Sequence, residues 1–152
     1  MADDGHGDGS GPRRFSLTPG AVFRDERGTV RFANGFDLAP VRRLYSVRNA
    51  AEAPFRGWVA HQVEQKWLFP VTGVTAVYLV KVDDFEKPSP ALSFEVVTLD
   101  AETPSVLHVP GGYALGVESR SPGAEVMVFS DHLADDQPDD VWRWPPGYWS
   151  RG

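Results

Sequence analysis

RGWVAHQVEQKWLFPVTG, residues 56–73, carries the pattern from which the fold can be predicted. It contains two runs, 56–63 and 66–71, that are rich in valine and aromatic residues, and each is as long as a typical strand. Residues of these types are enriched in strands, and the polar and glycine residues around them are typical of turns. The stretch therefore predicts two β-strands in close succession.

The same pattern extends over most of the chain. Runs of five to eight residues, rich in Val, Phe, Tyr and Leu, are bounded by Gly, Pro, Asn or Asp, and no amphipathic helix of useful length is visible. This pattern predicts an all-β antiparallel sandwich or closed barrel. Pro110, Gly111 and Gly112 further predict a tight turn between two strands, as in the hairpins of a jelly roll. The nine predicted strands are 28–32, 41–47, 56–63, 66–71, 75–82, 92–99, 105–109, 113–119 and 124–130.

Length and composition predict one domain. The chain has 152 residues, of which 41% are hydrophobic, enough for one compact core and too few for two domains. We expect a single β-barrel domain over residues 15–152, preceded by a disordered tail over residues 1–14, which are rich in Gly and Asp. The sequence has no cysteine, which excludes disulfides, thiolate metal sites and cysteine nucleophiles.

Charge and hydropathy restrict the partners. The formal net charge of -6 argues against nucleic acid or an anionic membrane, since both are bound through basic surfaces. No run approaches the roughly 20 apolar residues that span a bilayer. We therefore expect a cytoplasmic protein with no nucleic-acid partner and no membrane partner.

Aromatic residues are concentrated near the end of the sequence. Trp142, Trp144, Tyr148 and Trp149 lie within eight residues, which is a large apolar surface to leave in water. They are expected to pack across the barrel or a partner subunit, or to seal one end of the barrel within the monomer.

Seven segments, taken in order, resemble a known group of enzymes. They are DERGTVRF, DLAPVRRLYSVRN, RGWVAH, EQKWLFPVTG, DDFEKPSP, LHVPGGYALG and DDVWRWPPGYW, and the resemblance covers roughly residues 22–149. The group is the nucleotide-sugar 3,5-epimerases and 3,4-ketoisomerases of the RmlC-like cupins. The resemblance implies a cupin jelly-roll (double-stranded β-helix) barrel, a homodimer, and a thymidine-diphosphate (TDP) keto-sugar substrate on which protons are moved next to the carbonyl.

The resemblance is incomplete at the positions that handle protons. In these enzymes a histidine stands three residues after the arginine of RG-x-H, and the ketoisomerases add a second histidine two residues later. Here the first position is Val59 and the second is His61, while the lysine of the following strand is retained as Lys66. His61 and Lys66 are therefore the candidate catalytic residues.

Two further positions have become apolar. The resemblance places Leu115 where the epimerases have a histidine, and Val128, or Phe129 after a shift of one residue, where they have a catalytic tyrosine. A neutral aliphatic side chain cannot exchange a proton. These replacements predict a drier, more apolar cavity than that of a sugar enzyme.

The first functional hypothesis is a cofactor-independent cyclase. The chain resembles the small cupin-like cyclases of bacterial polyketide and macrolide pathways, which perform transannular cycloadditions. Such a pericyclase would fold an apolar polyene for an intramolecular, Diels-Alder type cycloaddition, and orientation would be the main source of acceleration. The residues expected to bind this small-molecule substrate are Tyr45, Val59, Trp67, Leu68, Phe69, Tyr78, Leu115 and Val128.

Two alternatives stay open. The chain could be a TDP-keto-sugar epimerase or ketoisomerase in which His61 is the base and Lys66 stabilises the enolate; against this, His61 could make a structural hydrogen bond and Lys66 could pair with Glu64 or Glu118. It could also be a non-catalytic sugar-binding module, since fold alone does not fix function. No metal or other cofactor is expected, because the strands offer only His61 and His108 as histidine ligands.

Overall fold

The computed structural model describes residues 14–151, and over this range the chain forms twelve β-strands and no helix. It therefore contains no helix that could cross a membrane in the part of the chain described. The strands are β1 (Ser16–Pro19), β2 (Ala21–Asp25), β3 (Gly28–Phe32), β4 (Arg43–Val47), β5 (Phe55–Ala60), β6 (Lys66–Thr72), β7 (Val74–Lys81), β8 (Glu95–Asp100), β9 (Ser105–Val109), β10 (Tyr113–Ser119), β11 (Glu125–Ser130) and β12 (Trp142–Arg143).

Two five-stranded antiparallel sheets form the barrel. The first has the order β1-β9-β6-β11-β4 and the second the order β12-β5-β10-β7-β8, while β2 and β3 form a separate hairpin. Most consecutive strands from β4 to β12 lie in opposite sheets, so the chain crosses repeatedly from one sheet to the other. This crossing between two antiparallel sheets is typical of a jelly roll, and it confirms the predicted all-β class.

The main core lies between the two sheets. It contains Leu68, Leu107 and Val126 from the first sheet and Leu79 and Leu115 from the second, and each of these side chains is buried. Because successive side chains of a strand point to opposite faces, each strand contributes only every second residue to this core.

Strand β6 shows this alternation clearly. Lys66, Leu68 and Pro70 are buried, whereas Trp67 and Phe69, which lie between them, are half-buried. The first set faces the interior between the sheets and the second faces the outside of the first sheet. The direction of each β6 side chain follows from this alternation.

All nine predicted strands are present, with corrections at three ends. The strand predicted over 41–47 begins at Arg43. The strand predicted over 56–63 ends at Ala60, because residues 61–65 form the connection to β6. The strand predicted over 92–99 begins only at Glu95. Strands β1, β2 and β12 were not predicted, and the last has only two residues. The predicted tail over residues 1–14 lies outside the described residues, except for Arg14.

The C-terminal aromatic residues pack within the chain. Trp149 is fully buried, and its ring lies 5.3 Å from that of Trp58, 5.4 Å from that of Trp144 and 4.9 Å from that of Tyr148. The indole N–H of Trp149 donates to the carbonyl of Ser89 at 2.9 Å. Trp149 therefore packs within the chain, and packing of the other aromatic residues on a partner subunit stays a prediction.

Candidate active site

A cavity of about 690 Å³ opens between the two sheets. This volume is within the range of small-molecule sites, which is roughly 300 to 1,000 Å³. The residues at its inner end are buried: His61, Lys66, Leu68, Leu115 and Val128. Glu64 is a further buried residue of the lining, so the cavity combines three ionisable side chains with an apolar wall.

The mouth of the cavity is cationic. Arg48, Arg56 and Arg143 line the cavity and are exposed, while Arg43 lines it and is half-buried. Together with Lys66, five cationic side chains line the cavity, and Glu64 is the one carboxylate among the lining residues described. The expectation of a dry, apolar cavity is therefore wrong, because strands β4, β5 and β12 each place arginine at its walls.

Two of these cations have no polar partner within residues 14–151. Arg43 donates to Glu64 at 3.0 Å and Arg48 lies 3.8 Å from Glu125. The side chains of Lys66 and Arg143, by contrast, form no hydrogen bond or ion pair with any residue in that range. Their charges are available to an anionic ligand.

The pairing of β5 with β10 contains a bulge that shapes the wall. Leu115 pairs with Val59 and Gly116 pairs with Gly57, so Trp58 is an extra residue on β5. A bulge shifts the alternation of side chains. Positions 56 and 59 consequently both face the cavity, and the indole of Trp58 packs in the second apolar cluster with Trp149.

Glycine is required where these two strands approach each other. A Cβ added at Gly57 would lie 2.7 Å from the Cα of Gly116, and one added at Gly116 would lie 2.3 Å from the ring of Phe55. Real Cβ atoms do not approach other heavy atoms this closely. The two glycines therefore allow the close contact that positions Val59 and Leu115 side by side in the wall.

His61 makes one hydrogen bond and leaves its other ring nitrogen unpartnered. Its Nδ1 lies 2.6 Å from the backbone carbonyl oxygen of Asp140. A carbonyl only accepts, so Nδ1 carries the hydrogen and Nε2 carries a lone pair. Nε2 is buried and has no hydrogen-bond partner among residues 14–151.

The surroundings of His61 favour its neutral form. Burial is the largest effect and lowers the pKa of the imidazole below its ordinary value of 6.5; the positive charge of Lys66 lowers it further. Glu64, whose Oε1 lies 3.7 Å from Nδ1, and Asp140 act in the opposite direction but do not reverse the shift. His61 is thus a neutral imidazole with a free basic nitrogen at the cavity wall.

Lys66 does not form the ion pairs considered for it. The carboxylate of Glu64 is bound by Arg43 and by the hydroxyl of Ser130, which donates at 2.7 Å. Glu118 is bound by Arg120 at 2.7 Å on another part of the barrel. The ammonium of Lys66 lies 5.9 Å from the centre of the Tyr45 ring, a long cation-π contact.

The structure brings together most of the predicted site residues but not all. Tyr45, Val59, Leu68, Leu115 and Val128 line the cavity with His61 and Lys66. Trp67, Phe69 and Tyr78 do not line this cavity. Trp67 and Phe69 are on the outer face of β6, where Trp67 stacks on His108 at 4.9 Å. Tyr78 belongs to the second apolar cluster.

Sequence reasoning missed the contribution of the C-terminal segment, residues 131–149. This segment runs past the mouth of the cavity and supplies five of its lining residues: Ala134, Gln137, Val141, Arg143 and Trp144. Strand β12 attaches it to β5, with Trp142 opposite Ala60 and Arg143 opposite Val59. The run of aromatic residues indicated that this segment packs, but no sequence signal indicated where.

Comparison with protein-family profiles and with curated proteins finds no match to this chain. Solved structures do resemble it. A TDP-quinovose 3,4-ketoisomerase from Campylobacter jejuni superposes with a TM-score of 0.64 at 17% identity, covering 88% of this chain and 95% of that one. A 3'-monoepimerase from Streptomyces bikiniensis, in complex with dTDP-quinovose, gives 0.68 at 18% identity, covering 87% and 70%.

A third similar structure carries a bound keto-sugar. It is a histidine-to-asparagine variant of a 3,4-ketoisomerase from Thermoanaerobacterium thermosaccharolyticum in complex with TDP-4-keto-6-deoxyglucose, with a TM-score of 0.64, 16% identity and coverage of 90% and 92%. At these identities the likeness establishes the fold. It confirms the predicted RmlC-like cupin jelly roll.

Proposed function

We propose that this chain is an enzyme that isomerises a nucleoside-diphosphate keto-sugar, with His61 as the base. The observation that carries the proposal is the free Nε2 of a neutral, buried histidine in a cavity that also holds the unpaired ammonium of Lys66. The similar solved structures are enzymes named for TDP-sugars, which supports the same substrate class.

The charge distribution of the cavity fits such a substrate. Arg48, Arg56 and Arg143 at the mouth suit a diphosphate, because guanidinium groups bind phosphate oxygens with paired, charge-assisted hydrogen bonds. The sugar would then extend inward to His61 and Lys66. The net negative charge of the whole chain does not oppose this, since the field at the site is set by the groups that line it.

The proposed reaction is a proton transfer between adjacent carbons. His61 Nε2 takes the proton from the carbon next to the ketone, and Lys66 donates a proton to the ketone oxygen, which gives a neutral enediol. Lys66 then takes the proton of the neighbouring hydroxyl, and the imidazolium of His61 returns its proton to the former carbonyl carbon. The ketone has moved by one position, and both side chains regain their starting states.

Isomerisation fits this cavity better than epimerisation. Inverting a carbon requires a base on one face of the sugar and an acid on the other, whereas moving a ketone can use one base on one face. The two positions that the family resemblance assigns to a second proton-transfer group are Leu115 and Val128, and both are buried in the cavity wall. A single histidine is sufficient for the isomerase.

The cycloaddition hypothesis is supported only by the apolar part of the lining, and the similar solved structures described above are sugar enzymes. A neutral polyene at the inner end of the cavity would displace water from the buried ammonium of Lys66 without offering it a counter-charge, which is unfavourable. The predicted homodimer and cytoplasmic location stay predictions.

The proposal is tested by incubating the protein with TDP-4-keto-6-deoxyglucose and following the sugar by ¹H NMR. We expect conversion to the 3-keto isomer, loss of that conversion in His61→Asn, and retention of it in the control His108→Asn, because His108 lies outside the cavity against Trp67. TDP binding with no conversion by the wild type would favour the non-catalytic sugar-binding module. No binding of TDP at all would exclude the proposed substrate class.

A further inference from the structure

Asp140 fastens the C-terminal segment to the backbone that follows His61. Its Oδ1 accepts the N–H of Gln62 at 2.6 Å, and its Oδ2 accepts the N–H groups of Val63 at 2.9 Å and Glu64 at 3.1 Å. The residue is 6% exposed. Three backbone donors on one buried carboxylate make a strong attachment, since hydrogen bonds to charged acceptors are about twice as strong as neutral ones.

The same residue also binds the ring of His61. The carbonyl oxygen of Asp140 is the acceptor for Nδ1, at 2.6 Å. The side chain of Asp140 thus holds the connection between β5 and β6. Its carbonyl holds the imidazole of His61, the first residue of that connection. Displacement of the carboxylate would move the carbonyl away from Nδ1, because the two groups belong to one residue.

We infer that Asp140 is a positioning residue for His61: its carboxylate holds its own carbonyl against Nδ1, and this keeps the basic nitrogen at Nε2. The inference rests on the proposed function for its catalytic meaning. An imidazole without this partner is free to carry its hydrogen on either nitrogen and to rotate. With the hydrogen on Nε2, His61 has no lone pair to offer a substrate in the cavity.

Other charged groups near His61 do not replace this function. Glu64 Oε1 lies 3.7 Å from Nδ1, which is too far for a hydrogen bond, and the other oxygen, Oε2, is bound by Arg43 and Ser130. Lys66 is a cation that cannot accept the hydrogen of Nδ1. Glu64, Lys66 and Asp140 are the charges that face the ring. The carbonyl of Asp140 is the hydrogen-bond acceptor that fixes the tautomer.

The test compares Asp140→Asn and Asp140→Ala with a control, Asp139→Asn. Asparagine has nearly the same shape as aspartate, but its NH₂ group would face backbone N–H groups, which are also donors. Alanine removes the acceptor altogether. Asp139 is the preceding residue and is exposed, so the control changes the same charge without changing the attachment. The folded state of each variant is checked by thermal unfolding.

The decisive measurement is the ¹⁵N chemical shifts of the His61 ring, assigned by their loss in His61→Asn. We expect the wild type and Asp139→Asn to have the hydrogen on Nδ1, and the Asp140 variants to show a mixture or the hydrogen on Nε2. For turnover of TDP-4-keto-6-deoxyglucose, we expect kcat to fall about 100-fold in the Asp140 variants, because a small misplacement of a catalytic group has an effect of this size. KM should change little.

Two results would overturn the inference. The first is a wild-type protein that carries the hydrogen on Nε2, a result that does not depend on whether any variant folds. The second is a folded Asp140 variant that keeps both the wild-type tautomer and the wild-type kcat. If the wild type does not turn over the keto-sugar, the proposed function fails, and the ring shifts of the Asp140 variants still decide whether Asp140 fixes the tautomer.

Discussion

Replacement of Arg143 by glutamine is expected to weaken TDP binding about tenfold. Arg143 lines the cavity mouth and has no ion pair within residues 14–151, so its charge is available to a diphosphate. A hydrogen bond to a charged group contributes about 1.5 to 3 kcal/mol. We take the lower value because Arg143 is exposed and part of the interaction is screened by water, and about 1.4 kcal/mol corresponds to a factor of ten in Kd.

The assay is titration calorimetry with TDP at low and at physiological salt. The matched control is Arg42→Gln, which removes the same charge from an arginine that is exposed, pairs with Asp136 at 3.3 Å and does not line the cavity. We expect Arg143→Gln also to reduce the salt dependence of binding, because one phosphate contact is lost, and Arg42→Gln to leave Kd unchanged. Equal affinities for Arg143→Gln and the wild type would refute the assignment of the mouth to the diphosphate.

Two further predictions follow from the burial of particular side chains. Burial and Lys66 lower the pKa of His61, and the base must be neutral, so kcat/KM should fall with decreasing pH only below 6.5. Lys66→Met should raise the pKa of His61 measured by NMR. A lower pKa in that variant would contradict the electrostatic argument. Trp149→Ala should reduce the free energy of unfolding in urea by about 3 to 5 kcal/mol, since a fully buried indole is removed. A loss typical of surface substitutions, about 0.5 kcal/mol, would show that the indole is not buried in solution.

Much of the fold could be predicted from local patterns. The β-rich composition of residues 66–71 predicts strand β6, and the strand alternates buried and half-buried residues as a strand between core and surface must. The same alternation should have excluded Trp67 and Phe69 from the cavity once Leu68 was placed there. Their size and apolar character suggested a binding wall, but on the outer face of the sheet Trp67 packs against Phe36 and His108.

The candidate site depended on contacts that no local pattern records. His61 and Lys66 were found through the family resemblance, but the partner of His61 is Asp140, which is 79 residues away in sequence. An aspartate between a second aspartate and a valine looks like a solvated turn residue. Its role depends on where the C-terminal segment lies, and that is fixed by the pairing of β12 with β5 and by the burial of Trp149.

The expectation of an apolar cavity failed for a related reason. The loss of proton-handling residues at Val59, Leu115 and Val128 suggested an apolar interior, and those side chains do form an apolar wall. The cations come from other elements: Arg43 from β4 and Arg143 from β12. Counting the replacements in one motif therefore gave no information on the walls that other strands supply.

A bound keto-sugar nucleotide should place its reacting carbon against His61. The most direct measurement is a crystal structure of the His61→Asn variant, which cannot act as the base, with TDP-4-keto-6-deoxyglucose. Our account predicts the diphosphate at Arg48, Arg56 and Arg143 and the carbon next to the ketone in contact with the side chain at position 61. A sugar that faces away from that position, or a nucleotide bound outside the cavity, would contradict it.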